Sequence, residues 1–339
     1  MNNIFSGGGF DLIALTAAIN RVPDAARYIG LTERYNIFRP APITSTAFSV
    51  EEYNGVLNLI LSQPRGGPAA KNVSGKRKLR NFAVPHYPLE DIIKPDEIQN
   101  VRAFGSESQA ETLANVFAKK LSEMRRKHDL TREWLRFQAL KGILVDGDTS
   151  TIYNYYTEFG ISQNIVDLDL DVSSSDINGL CRDVLNTIED NLKGDMMDGV
   201  VAFCSRDFYK DFINHANVKA AFQYYSTAQQ LSGDFRKQFE FAGITWVPVG
   251  ASTTDPAGTA RKFIEDGYAY AVPLGTLETF QEVIAPADFV ETVNTPGLPF
   301  YAKQEPMKFG RGVEVHTQMN ILPIVTRPEC LVKIGKNID

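Results

Sequence analysis

Apolar positions change their spacing repeatedly along this chain, and each change predicts a different element. Between residues 46 and 85, Val56, Asn58 and Ile60 alternate with Leu57, Leu59 and Leu61 before residues 79–84 return, which is the period-two pattern of a long hairpin. Ser108 then stands three residues before Glu111, the spacing of a capping box, and Leu113, Phe117, Leu121 and Met124 follow at helical steps. The helical pattern runs through Trp134, Phe137 and Leu140 until Gly142 offers a stop. That makes about 35 residues, or about 50 Å at 1.5 Å per residue.

Shorter elements flank this helix. Residues 10–20 read as a helix between a glycine run and Pro23, and this segment packs either on its own chain or on a neighbouring subunit. ILVDGDTSTIYNYY carries the Asp-Gly signature of a tight hairpin between residues 143–145 and 151–156. Residues 177–192 form an amphipathic helix capped by Ser175 or Asp176, and strands alternate with helices from 200 to 249. In the last quarter, β-forming runs at 268–272 and 321–325 bracket a stretch rich in turn residues, among them Pro296, Gly297, Pro299 and Gly310.

Composition narrows the class. A chain of 339 residues predicts about two domains, and 35 basic against 41 acidic residues give a net charge of −6, so nothing global demands nucleic acid or an anionic membrane. Cys181, Cys204 and Cys330 are odd in number and widely spaced, which fits buried free thiols in a reducing compartment. The first residues lack the pattern of a signal peptide and no apolar run is long enough to span a bilayer, so synthesis is expected in the cytoplasm, without a membrane partner.

Local charge carries more information. Residues 64–80 hold Arg65, Lys71, Lys76, Arg77, Lys78 and Arg80 with no acid, among Gly, Pro, Ser and Asn. A long hairpin with such a tip has no way to bury itself, and these residues are expected to meet an acidic surface on another subunit. Asp167, Asp169 and Asp171 alternate with leucines, as on an edge strand with one acidic face suited to a basic partner. Residues 119–141 hold eight Lys or Arg against Glu123, Asp129 and Glu133, which reads as a solvated helix face with pairs at i,i+4; Trp134 and Phe137 are expected in the core.

Chemical motifs fail one after another. Gly75-Lys76 has Ala70 where a phosphate loop needs its first Gly and Arg77 where it needs Ser or Thr. Val172 stands where a calcium loop needs Gly, and Asn178 where it needs a bidentate Glu. His86, His128, His215 and His316 are dispersed, without zinc spacing. No catalytic, cofactor or metal site is expected, and the density of order signals without a reacting group points to a protein whose task is contact.

Several segments nevertheless match a known family. Thr131-Arg132-Glu133-Trp134 through Leu140-Lys141-Gly142, Val272-Pro273-Leu274-Gly275-Thr276, Ala285-Pro286-Ala287-Asp288, Glu291-Thr292-Val293-Asn294-Thr295-Pro296-Gly297, Tyr301-Ala302-Lys303 and residues 318–328 together resemble the major capsid (head) protein of lambda-like tailed bacteriophages, in order and across about residues 5–335. The resemblance implies an α+β tailed-phage capsid fold. Its parts would be an N-terminal arm (1–44), an E-loop hairpin (45–90), a peripheral domain with a long spine helix (91–164 and 284–324) and an axial α/β domain (165–283 and 325–339). It further implies hexamers and pentamers of the chain closing an icosahedral shell around double-stranded DNA, held non-specifically on the inner face and assembled in the host cytoplasm. The implied partners are a portal, a decoration protein and a separate scaffolding protein, since no scaffolding extension precedes the arm. The alternative is an encapsulin-like nanocompartment, which shares the fold and encloses enzymes.

Overall fold

The computed structural model describes residues 12–21, 30–53, 77–97, 113–219, 221–222 and 238–338. The described helices are α1 (Leu12–Arg21), α2 (Leu31–Arg34), α3 (Leu113–Leu140), α4 (Tyr155–Phe159), α5 (Ile177–Asn191) and α6 (Arg206–Asn214).

A six-stranded mixed sheet divides the core in two. Its order is Asn164–Asp167, Val332–Gly335, Tyr268–Leu274, Gly199–Cys204, Ile244–Pro248 and Phe239–Phe241. Successive strand residues point to opposite faces, so Val201, Phe203, Tyr270 and Val272 join one apolar cluster while Val200, Ala202, Cys204, Ala269 and Ala271 join the other. The second cluster is closed by α5 and α6. Ile177, Cys181, Val184 and Ile188 of α5 recur at helical spacing and are buried, and Asp176 caps the helix by accepting a hydrogen bond from Gly179 N at 3.0 Å. Cys181, Cys204 and Cys330 are free and buried, as expected.

The first cluster surrounds α3. Two three-stranded sheets flank the helix, one ordered Arg39–Pro42, Phe280–Ile284, Ile321–Val325 and the other Tyr301–Pro306, Val313–Met319, Tyr87–Ile93. In the first of these, Pro40 and Pro323 both pair with Glu282 of the central strand; each lies on an edge strand, where a residue without an N–H is tolerated.

The 28 residues of α3 extend about 42 Å. The expected capping box at Ser108 and Glu111 lies outside the described residues, but the stop falls where the sequence places it. Gly142 adopts φ +82, and a Cβ there would sit 2.3 Å from the Tyr156 ring. The hairpin after it departs from the Asp-Gly expectation. Ile143–Val145 pairs with Thr151–Asn154 across a five-residue loop, and Thr149 carries the positive φ, at 72°, which Gly147 does not. Asn154 caps α4 by accepting from Tyr156 N and Thr157 N, so Tyr155 and Tyr156 begin a helix instead of ending a strand.

Ala47–Tyr53 and Arg77–Ala83 form the base of the predicted long hairpin, in register from Ala47 opposite Ala83 to Tyr53 opposite Arg77. The residues between them, with Arg65, Lys71 and Lys76, lie outside the described residues.

Candidate assembly elements

Lys119, Glu123, Arg126 and Lys127 form the solvated face expected of the α3 charges, but the other charged positions do not join it. Arg125, His128, Asp129, Glu133, Arg136 and Lys141 are all buried, because the helix is wrapped on several sides by distant parts of the chain. Glu282, wholly buried on the central strand Phe280–Ile284, receives two guanidinium groups. Its Oε1 accepts from Arg132 Nε and Arg136 Nε at 2.9 Å each, and its Oε2 from Arg136 Nη2 at 2.9 Å and from Arg132 Nη2. Burial alone would raise the carboxyl pKa; Arg136 and Arg132 outweigh it and hold the group down at about 2. Both arginines also reach Glu33 Oε1 at 3.1 Å, so two cations meet two anions.

The same helix holds the N-terminal segment. Glu133 accepts from Thr32 N at 3.0 Å and from Thr32 Oγ1 at 2.7 Å, and burial raises its pKa. Arg125 Nη1 donates to Ile19 O at 2.9 Å, its Nε donates to Asp129 at 2.8 Å, and its guanidinium lies 3.7 Å from the Phe300 ring centre. Thus the described part of residues 1–40 packs on its own chain. His128 Nε2 lies 2.9 Å from Thr317 Oγ1, and burial, with a contribution from Arg125, pushes its pKa down to about 4. Trp134 and Phe137 are in the core, as expected. This network was missed in the sequence, although acids and bases three and four apart on α3, and a lone Glu in FQEVI, were its signal.

The residues singled out for inter-subunit contact fall in separate places. Arg77 and Lys78 sit in the return strand of the hairpin. Arg80 is 8% exposed: its Nε donates to Glu158 O at 2.8 Å and its guanidinium stacks over Phe159 at 4.6 Å. Asp167 ends its strand, which is an edge as expected, but Asp169 turns away with φ 45, so the three aspartates do not line one acidic strand face. Asp167 accepts from Asp169 N at 3.2 Å and from Ile338 N, while Asp171 accepts from Asn337 Nδ2 at 2.9 Å. Both therefore fasten the C-terminal segment to the sheet edge.

The turn-rich stretch before Tyr301 packs tightly at one point. Gly297 N donates to Ile43 O at 3.0 Å, and a Cβ on Gly297 would sit 2.2 Å from Ile284 O. Only glycine permits that approach. Among the described residues, no group of His, Cys, Asp or Glu is placed to hold a metal ion, and no helix is long and apolar enough to cross a membrane.

A spine helix wrapped by distant parts of the chain, the base of a long hairpin and a mixed sheet between two apolar layers define an architecture shared with shell-forming proteins. The capsid of the cyanophage P-SCSP1u superposes with a TM-score of 0.52 at 12% identity, covering 94% of this chain and 91% of that one. The mature capsid of bacteriophage PhiM1 does so with a TM-score of 0.54 at 13% identity, covering 94% and 90%. These likenesses show a tailed-phage capsid fold, α+β as expected.

Sequence comparison makes the assignment specific. Residues 11–336 match the family model for phage major capsid protein E, and the chain belongs to that family. It is 29% identical to the major capsid protein of Pseudomonas phage KPP10 and 27% identical to that of Salmonella phage Felix O1, each over 96% of both chains. These matches do not favour the encapsulin alternative.

Proposed function

We propose that this protein is the structural subunit of a phage head, in which copies of the chain form hexamers and pentamers that close an icosahedral shell around double-stranded DNA. The observation that carries this reading is the family match over residues 11–336. We infer the division into an arm (1–44), an E-loop (45–90), a peripheral domain (91–164 and 284–324) and an axial domain (165–283 and 325–339). In support, strands 301–306 and 313–319 share one sheet beside α3, while Val332–Gly335 joins the six-stranded sheet. A portal, a separate scaffolding protein, a decoration protein and the packaged DNA complete the set of partners, with assembly in the host cytoplasm.

The basic stretch ahead of the return strand, residues 64–76, is the reaching element, whereas Arg80 is buried at the hairpin base. Each exposed ion pair it forms on an adjacent subunit contributes only about 0.2–1 kcal/mol, so many weak contacts permit correction before closure. Electron microscopy of the recombinant protein tests the reading: closed shells or capsomer tubes are expected, and a featureless monomer at high concentration would refute it.

A further inference from the structure

Strand Tyr301–Pro306 lies at the edge of its three-stranded sheet and, among the described residues, pairs only with Val313–Met319. An edge strand offers a row of backbone N–H and C=O groups to any other chain. Alternation decides which residues face outward. Met307 N donates to Gly312 O at 3.0 Å across the hairpin, so residues 301, 303 and 305 bond inward to the neighbouring strand, while 302, 304 and 306 turn their backbone groups to the open side. Pro306, without an N–H, blunts one end of that edge.

Helix α1 covers the other end. Its Thr16 Oγ1 accepts from Ala302 N at 3.3 Å, and its Asn20 Nδ2 donates to Phe300 O at 3.0 Å. Two residues one turn apart on a helix are separated by about 6 Å along its axis, and successive outward-facing residues of a strand by about 6.8 Å. Thr16 and Asn20 therefore meet the strand at the repeat a neighbouring strand would use. Thr16 and Ala302 are buried by the contact, Leu15 and Ile19 join the core, and Arg125 Nη1 holds Ile19 O at 2.9 Å. A helix of ten residues is marginal in water by itself, so the docking that hides the edge also sustains α1.

We propose that α1 is an autoinhibitory cover, and that the edge beneath it is a latent pairing surface for strand 301–306 of a second copy of this chain. Antiparallel pairing about a two-fold axis at Ala302 joins the N–H of Ala302 in each copy to the carbonyl of Ala302 in the other, and Phe300 O to the N–H of Gln304 in the second copy. It uses Ala302 N and Phe300 O, the atoms that Thr16 and Asn20 hold, so cover and pairing exclude each other. In that register Lys303 faces Tyr301 and no like charges stand opposite one another, and Pro306 lies beyond the paired residues. Such an isologous contact closes as a dimer. The inference goes beyond the shell reading, because it concerns a contact that the free subunit is built to avoid.

Sedimentation of the unassembled full-length subunit at micromolar concentration tests the cover. T16V/N20A removes the acceptor at Ala302 N and the donor at Phe300 O, and is expected to raise the dimer fraction at least tenfold over the parent. Adding Gln304→Pro takes away an outward N–H that the pairing needs and spares the inward bonds, so the dimer fraction should return to within threefold of the parent. Thr16→Ser keeps the hydroxyl and should stay monomeric. Hydrogen exchange gives a second reading: the Ala302 amide should exchange at least tenfold faster in monomeric T16V/N20A than in the parent, and slow again in its dimer. An unchanged dimer fraction in T16V/N20A overturns the proposal. A dimer that survives Gln304→Pro places the association elsewhere and overturns it equally. If T16V/N20A lacks a cooperative melting transition, Thr16→Val alone decides, with a threefold rise expected and no rise refuting the cover. None of these outcomes depends on whether shells form.

Discussion

Arg136 and Glu282, 146 positions apart in sequence, meet through two hydrogen bonds of 2.9 Å inside the fold. With Arg132 they tie the spine helix to the central strand of a sheet whose edges come from residues 39–42 and 321–325. Removing one partner of a buried pair leaves the other charge uncompensated, which costs about 3–5 kcal/mol. Glu282→Gln should therefore lower the unfolding free energy of the unassembled subunit by that amount, read from the urea midpoint. A loss below about 1 kcal/mol would show that the arginines find other acceptors.

The same carboxylate shapes the acid limb of stability. Its folded pKa lies at about 2, below the ordinary 4.5, so its contribution is fully present above pH 4.5 and is lost as pH falls towards 2. Glu282→Gln should flatten the stability profile in that window while lowering it above. A profile parallel to the parent's between pH 5 and pH 2 would contradict the assignment.

His128 acts at milder pH. Its folded pKa of about 4 lies below the ordinary 6.5, so the folded state binds its proton later than the unfolded state does. Stability is therefore lost as pH falls from 6.5 to 4, by about 3 kcal/mol at most. Arg125 faces the ring as a fixed cation, His316 lies nearby, and positive charge on either opposes protonation. His128→Asn should reduce the slope of melting temperature against pH between 6.5 and 4. If the slope survives that substitution, another group sets it.

Gly297→Ala tests the turn-rich stretch. The added methyl would sit 2.2 Å from Ile284 O, where the opposing atom is backbone and unable to swing aside. We expect a loss of about 2 kcal/mol or more, since the strand end at Ile284 must shift and the bond from Gly297 to Ile43 goes with it. A melting temperature within 1 °C of the parent would mean that the turn relaxes freely.

What the sequence made legible follows from what is local. Gly142 stops α3 and Asp176 caps α5 because capping depends on a few neighbouring residues, and Phe137 and Cys204 are buried because period and apolarity agree. Arg125, Glu133 and Arg136 were read as part of a solvated face because they have partners more than a hundred residues away, and charge alone does not say which side of a helix will be covered. Thr149 bears the positive φ that Gly147 was expected to bear because loop length, set by pairing of Val145 with Thr151, overrode the Asp-Gly preference. The contact of Thr16 with the edge of strand 301–306 was hidden for a related reason: Thr16 and Ala302 are 286 positions apart.

Arg80 separates the anchoring of the hairpin from its reach. The hairpin base is held by Arg80 on Glu158 O and the Phe159 ring, by Phe82 beneath Tyr153 and Tyr155, and by the Tyr153 hydroxyl, which accepts from Ala83 N at 2.8 Å. Arg80→Ala removes a buried cation–ring contact and a charge-assisted bond to a carbonyl, each of order 1–2 kcal/mol. We expect subunit stability to fall by about 2 kcal/mol with little dependence on salt, because the site is shielded from counterions. Lys76→Ala, in the basic stretch of residues 64–76, should leave the melting temperature unchanged and make assembly more sensitive to salt. If the two variants behave alike in both measurements, base and tip do not divide the work in this way.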